Sequence, residues 1–114
     1  MEVQIVKEES LRNKYRSRLE IIRDILQAVE NVRSKKTYIM YQANLSYKLL
    51  IQYLDEALKA GLMEYDGETL YSITERGKKF LKLYEDYERR RTDLENRINH
   101  LKNGKETLKK MISP

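Results

Sequence analysis

Residues 37–73 read TYIMYQANLSYKLLIQYLDEALKAGLMEYDGETLYSI, and the fold is decided by how this stretch divides. Thr37 to Ala43 is long enough for one or two helical turns, with Thr37 near the cap. Asn44-Leu45-Ser46 then breaks the pattern, and the Ser46 hydroxyl is placed to accept from the first turn of a second helix running to Ala60. Gly61 supplies the left-handed residue that ends many helices. Along the second helix Tyr47, Leu50, Ile51, Leu54, Ala57 and Leu58 share one side, leaving Lys48, Gln52, Glu56 and Lys59 on the other. Two helices joined by a short turn, the second with one packed and one polar face, predict a helix-turn-helix.

The remainder, Leu62 to Ile73, holds Asp66-Gly67 between two short β-prone runs. Asp-Gly favours a two-residue type I′ turn, which would pair Tyr65 with Glu68 and Met63 with Leu70. A hairpin directly after a helix-turn-helix reads as a wing.

Upstream, Leu11, Tyr15, Leu19, Ile22, Leu26 and Val29 recur at steps of three and four and fall within an arc of about 80° at 100° per residue, which predicts one amphipathic helix. Ser10 is its expected N-cap, and the helix is expected to fade between Asn31 and Lys36. Residues 1–9 read as a flexible arm, with a short edge strand through Val3, Ile5 and Val6 as the alternative. Downstream, Thr74 caps a last helix. One heptad position holds Phe80, Tyr87, Leu94, Leu101 and Leu108; its partner holds Tyr84, Arg91, Ile98, Lys105 and Ile112. Eight of these ten are apolar where the 40% apolar composition predicts about four, which favours a coiled coil. At Asn103-Gly104 the helix either passes through a glycine at about 1 kcal/mol or ends. The expected organisation is therefore mostly α (α+β): an arm over 1–9, a winged helix-turn-helix head over 10–75, and a long C-terminal coiled-coil helix for dimerisation over 76–114.

Composition narrows the function. The chain of 114 residues carries 23 Lys and Arg against 18 Asp and Glu, a net charge of +5. By segment the charge is +3 over residues 1–36, −3 over 37–74 and +5 over 75–114. There is no cysteine and a single histidine, His100, so thiolate chemistry is excluded and no metal cluster can be built on imidazoles. No apolar run approaches the roughly 20 residues of a membrane span, and the N-terminus lacks a leader pattern. A cytoplasmic protein without membrane contact is expected. No base sits beside a nucleophile at a recognisable spacing and no Gly-rich phosphate loop appears. The expectation is a non-enzymatic protein with no cofactor, no metal and no small-molecule substrate.

The run Tyr38-Ile39-Met40-Tyr41-Gln42-Ala43-Asn44-Leu45-Ser46-Tyr47, the spacing from Leu54 to Gly61-Leu62, and the closure Ile73-Thr74-Glu75-Arg76-Gly77 resemble the archaeal winged-helix DNA-binding proteins. More narrowly, over residues 17 to 101 the chain resembles the small chromatin-associated "ten-a" proteins of Sulfolobus. The resemblance implies an archaeal, nucleoid-associated homodimer joined by an antiparallel coiled coil, binding double-stranded DNA with little sequence preference.

Candidate contacts follow from residue type and place. Ser46, Tyr47, Lys48 and Gln52 lie toward the N-terminal end of the second motif helix, where a groove-reading helix meets base edges. Lys35 and Lys36 precede the first motif helix, and Arg16 and Arg18 lie on the opening helix, as phosphate contacts. Because Leu62 to Ile73 holds three acids and no base, the wing tip is expected to stay at the margin of a tilted docking. Nine tyrosines without tryptophan raise stacking by Tyr38, Tyr41 and Tyr47, but core or interface packing is the simpler reading. Tyr84, Tyr87, Arg91, Leu94, Ile98 and Leu101 are the expected dimer interface. Two rivals stay open: a sequence-specific winged-helix transcription regulator, and a protein-interaction module using the acidic wing.

Overall fold

The computed structural model describes residues 16–114. The expected arm, its alternative strand, the cap at Ser10 and the side chains of Leu11 and Tyr15 lie outside these residues. In chain order the elements are α1 (Arg18–Ala28), β1 (Ser34–Lys35), α2 (Lys36–Gln42), α3 (Tyr47–Lys59), β2 (Met63–Tyr65), β3 (Leu70–Ile73) and α4 (Glu75–Ile112).

The opening helix starts later than its apolar spacing suggests. Ser17 is extended, with φ −70° and ψ 162°; its hydroxyl accepts from the Glu20 amide while Glu20 accepts from the Ser17 amide, a reciprocal capping box. A continuous helix from Ser10 is thereby excluded. Ile22, Leu26 and Val29 are buried as expected, Ile21 and Ile25 join them, and Leu19 is 47% exposed, so the buried face is shifted toward Ile21 and Ile25. Eleven residues are too few for a stable isolated helix, so burial of these four side chains, at about 1.5–3 kcal/mol each, makes the helix.

The helix-turn-helix forms as expected. Asn44 takes the left-handed conformation at φ 53°, Ser46 caps α3 by accepting from the Leu49 amide at 3.2 Å, and Gly61 ends it at φ 75°. Leu50, Leu54 and Ala57 of α3 join Ile39, Ala43 and Leu45 in one core with α1. Tyr47 and Ile51, expected on the packed side, are exposed. The cap of α2 is Lys35 rather than Thr37, because Lys35 is held extended as the last residue of β1.

That strand was not expected. Ser34 pairs with Tyr71 and Lys35 with Leu70, completing an antiparallel sheet of order β1-β3-β2. The hairpin is present in another register: Met63 pairs with Ile73, Glu64 with Ser72 and Tyr65 with Tyr71. A tight type I′ turn needs positive φ at both Asp66 and Gly67, and only Gly67 has it, at 87°. Asp66 instead accepts through Oδ1 from the amides of Glu68, Thr69 and Leu70 at 2.8, 3.0 and 3.1 Å, which widens the loop. The wider loop also lets the Tyr65 and Tyr71 rings approach to 4.6 Å.

Thr74 caps α4 by accepting from the Gly77 amide at 3.0 Å. The chain divides into two compact units after Leu81, so the first unit takes in the opening turns of α4, with Phe80 and Leu81 on its core. The helix runs through Gly104 to Ile112. The two helical glycines differ sharply. A Cβ on Gly77 would stand 2.2 Å from the Leu62 carbonyl oxygen and 2.6 Å from Ile73 Cγ1, whereas one on Gly104 would meet nothing within 4 Å. In chemical denaturation, Gly77→Ala is expected to lower the stability of the head by about 2–3 kcal/mol through overpacking against backbone. Gly104→Ala is expected to stabilise its helix by about 1 kcal/mol.

Candidate nucleic-acid interface

The pairing of β1 with β3 brings together groups that the sequence keeps apart. Lys35, Lys36 and Thr37 form one wall of a groove of about 280 Å³ whose other wall is Tyr65, Glu68, Thr69 and Tyr71 of the hairpin. Burial pushes the Tyr71 phenol above its usual range; the Lys36 ammonium opposes this, and the phenols of Tyr65 and Tyr47 add to it. Tyr65 donates its hydroxyl to the Glu68 carbonyl at 2.5 Å.

The charge of the hairpin looks different in three dimensions. Asp66 has its pKa held below 3.8 chiefly by the Glu68 and Leu70 amides; burial opposes them, and the Thr69 amide and the Arg33 guanidinium add smaller lowering effects. Lys35 and Lys36 lie across the groove from Glu68. Among the described residues Lys35, Lys36 and Lys48 form no ion pair.

The other expected contacts divide. On α3, Ser46, Tyr47, Lys48 and Gln52 are all exposed toward its N-terminal end, with Tyr47 61% exposed. Tyr38 and Tyr41 are 47% and 83% exposed, so neither is a core residue. Arg18 reaches α3, where its Nη2 lies 2.5 Å from Glu56 Oε1, yet its side chain stays 73% exposed. An exposed pair of this kind contributes about 0.2–1 kcal/mol and leaves the cation available. Arg16 is turned inward: one Nη atom donates to Asp24 Oδ2 and to the Ala43 carbonyl, both at 2.6 Å, and the other to the Asn44 carbonyl at 2.7 Å.

In the second unit, Leu94 and Leu101 are 58% and 76% exposed, Tyr87 is exposed, Ile98 is half-buried and Tyr84 is buried. Arg91 pairs with Glu88 and Glu95 of its own helix, and Arg89 and Arg90 pair with Asp86. Among the described residues no three His, Cys, Asp or Glu side chains are grouped to hold a metal, and no helix is long and apolar enough to cross a membrane.

The sequence reading missed Arg33, Thr69 and the Tyr65-Tyr71 wall. A two-residue polar strand leaves no alternating pattern, so nothing in Ser34-Lys35 announces its pairing. The inward turn of Arg16 was missed too, although the Ser17-x-x-Glu20 spacing marks the helix start just after it.

Three helices around one core, the third exposed along its outer face, with a short strand completing a sheet whose hairpin projects after α3, define a winged helix-turn-helix. The chain belongs to the winged helix-turn-helix family, whose model matches residues 15–92. It is 36% identical over 74 residues to uncharacterized protein MJ0287 of Methanocaldococcus jannaschii, spanning 64% of this chain and 75% of that protein. Among solved structures it is similar to Sso10a-2, a DNA-binding protein from Sulfolobus solfataricus, with a TM-score of 0.64 and 26% identity, covering 87% of this chain and 99% of the other. The resemblance to the Sulfolobus ten-a proteins is thereby upheld. The fold is also shared with the MarR family transcriptional regulator SPO1453 of Silicibacter pomeroyi, at a TM-score of 0.51 and 16% identity over 98% of this chain and 88% of that one.

The Asp66 turn has a testable acid limit. Its carboxylate is favoured in the folded state, so its contribution is present above the unfolded pKa of about 3.9 and is lost as pH falls through the lower folded value. Amide resonances of Glu68, Thr69 and Leu70 are expected to shift together with a midpoint below 3.8. In Asp66→Ala the same three amides should exchange rapidly at neutral pH.

Proposed function

We propose that the chain is an architectural protein that binds double-stranded DNA, largely without sequence preference, as a homodimer in the archaeal nucleoid. The observation that carries the reading is the placement of Lys35 and Lys36 across a groove from the hairpin, together with the exposure of Ser46, Tyr47, Lys48 and Gln52 toward the N-terminal end of α3. Ser46, Tyr47, Lys48 and Gln52 enter the major groove, while Lys35, Lys36 and Arg18 follow the flanking phosphates. The similarity to Sso10a-2, described as DNA-binding, supports this.

The wing then reaches the backbone in company with Lys35 rather than standing at the margin. Lys35 and Lys36, set across the groove from Glu68, weaken the reading of the hairpin as an acidic protein-docking surface. Binding rests on cations and polar groups, and Gln52 alone gives little base discrimination, which favours non-specific binding over an operator-specific regulator. Dimerisation through α4 is supported by Leu94, Leu101 and Leu108, exposed at seven-residue spacing. Tyr87 extends that stripe one heptad earlier, and Tyr84, Arg91 and Ile98 occupy the partner heptad position.

Titration of random duplex against salt tests the reading. With five cations, Arg18, Arg33, Lys35, Lys36 and Lys48, on phosphates, the slope of log Kobs against log salt is expected at about −4 to −5 per head, from −0.9 per phosphate. Lys35→Ala with Lys36→Ala should flatten it by about two phosphates for every duplex sequence. Affinity that hardly changes with salt, or a strong preference for one site in a random-library selection, would overturn it. Light scattering should return a dimer mass for the chain, and a monomer for Leu94→Asp with Leu101→Asp.

A further inference from the structure

We infer that Arg16 is a positioning residue of the helix-turn-helix: with Asp24 it closes the end of α2 and fixes the Asn44 turn, and so sets how the N-terminal end of α3 is presented. The inference rests on the DNA-binding reading above and assigns Arg16 a role other than phosphate contact.

A helix leaves its last carbonyls without intrahelical donors, and a cation at that end is also favoured by the dipole. At the end of α2 the amides are already used: Ala43 N–H donates to Ile39, Asn44 N–H to Tyr41 and Leu45 N–H to Met40. The Ala43 and Asn44 carbonyls accept from Arg16, which arrives from a point 27 and 28 residues away in sequence. The guanidinium is held in turn by Asp24, whose Oδ2 accepts from Arg16 and whose Oδ1 accepts from Arg23 Nε at 2.6 Å. A planar fork can meet a carboxylate and two carbonyls at once, which an ammonium cannot do with the same geometry.

The clamp bears on the turn where it is most easily lost. Asn44 is a non-glycine residue at positive φ, a conformation that costs about 1–2 kcal/mol for most side chains and less for asparagine. Two residues later Ser46 caps α3, so a rotation at Asn44 reaches Tyr47 and Lys48 directly. Exposure separates the two arginines of this region: the Arg16 side chain is 23% exposed and that of Arg18 73%.

Arg16→Gln, Arg16→Lys and Asp24→Asn are compared with the unaltered chain by fluorescence anisotropy on random duplex across a salt series, at a temperature where melting curves show each fully folded. Arg16→Gln is expected to weaken binding about tenfold at every salt concentration with the slope unchanged, and Arg16→Lys should not restore it. Asp24→Asn raises the net charge by one, yet is expected to weaken binding because the clamp loosens. Adding Asn44→Gly to Arg16→Gln should recover part of the loss, and the Leu49 amide should exchange faster in Arg16→Gln alone.

A slope flattened by about 0.9 in Arg16→Gln, or tighter binding by Asp24→Asn, would make Arg16 a phosphate contact and overturn the inference. Unchanged affinity in the folded variants would reduce the clamp to a stability role and overturn it equally. If the unaltered chain does not bind duplex at all, the proposed function fails, while Leu49 exchange still reports whether Arg16 holds the turn.

Discussion

Three carbonyls left without helical partners at the end of α3 govern how the head is assembled. The Ala60 oxygen accepts from Arg76 Nε at 3.0 Å, the Gly61 oxygen from the Thr74 hydroxyl at 2.6 Å, and the Leu62 oxygen from the Thr74 amide at 3.1 Å. Of the three residues only Leu62 is buried, where an unpaired acceptor would be costly; with the two exposed bonds beside it, the Thr74 amide ties the start of α4 to the end of α3. Only a residue without a side chain fits at Gly77, where the two segments meet. β2 and β3 are bounded by this junction at both ends, so the hairpin departs from a fixed base.

The end of α2 shows the same economy of donors. There the carbonyls of Ala43 and Asn44 are met by Arg16, far away along the chain. Each helix of the motif therefore ends on donors supplied from outside it. The outer face of α3 is left with few structural duties beyond its cap, and it presents polar side chains over a core formed by Leu50, Leu54 and Ala57. Charge is distributed by the same logic. The segment that forms the motif and hairpin is acidic in sequence, with Lys48 and Lys59 its own cations, and β1, a strand two residues long, adds Lys35.

Much of the head can be read from the chain because its signals are local. Ser46, Gly61 and Thr74 mark helix ends by side-chain chemistry that acts within three residues, and Asn44 marks the turn. The heptad spacing of Leu94, Leu101 and Leu108 likewise survives as one exposed stripe of a long helix. In the opening helix Ile22, Leu26 and Val29 are buried as the spacing predicts, but the extended Ser17 starts the helix anew and Leu19 departs from the stripe. Once the helix begins at Arg18, Ile21 and Ile25 take the core and Leu19 faces solvent. The hairpin was foreseen in place but not in register: the Asp66 carboxylate, by accepting three amides, outcompetes the tighter turn that Asp-Gly favours.

The sequence by itself determined the order of elements, the caps of α3 and α4, the presence of a hairpin and the polar face of α3, since each follows from periodicity or from groups a few residues apart. Only the tertiary structure decided which cations stand together. Lys35 meets the hairpin because Ser34 and Lys35 pair with Tyr71 and Leu70, and Arg16 leaves the surface because the end of α2 offers it two carbonyls beside Asp24. Both outcomes depend on backbone hydrogen-bonding groups, which every residue carries alike, and so residue type alone could not assign them.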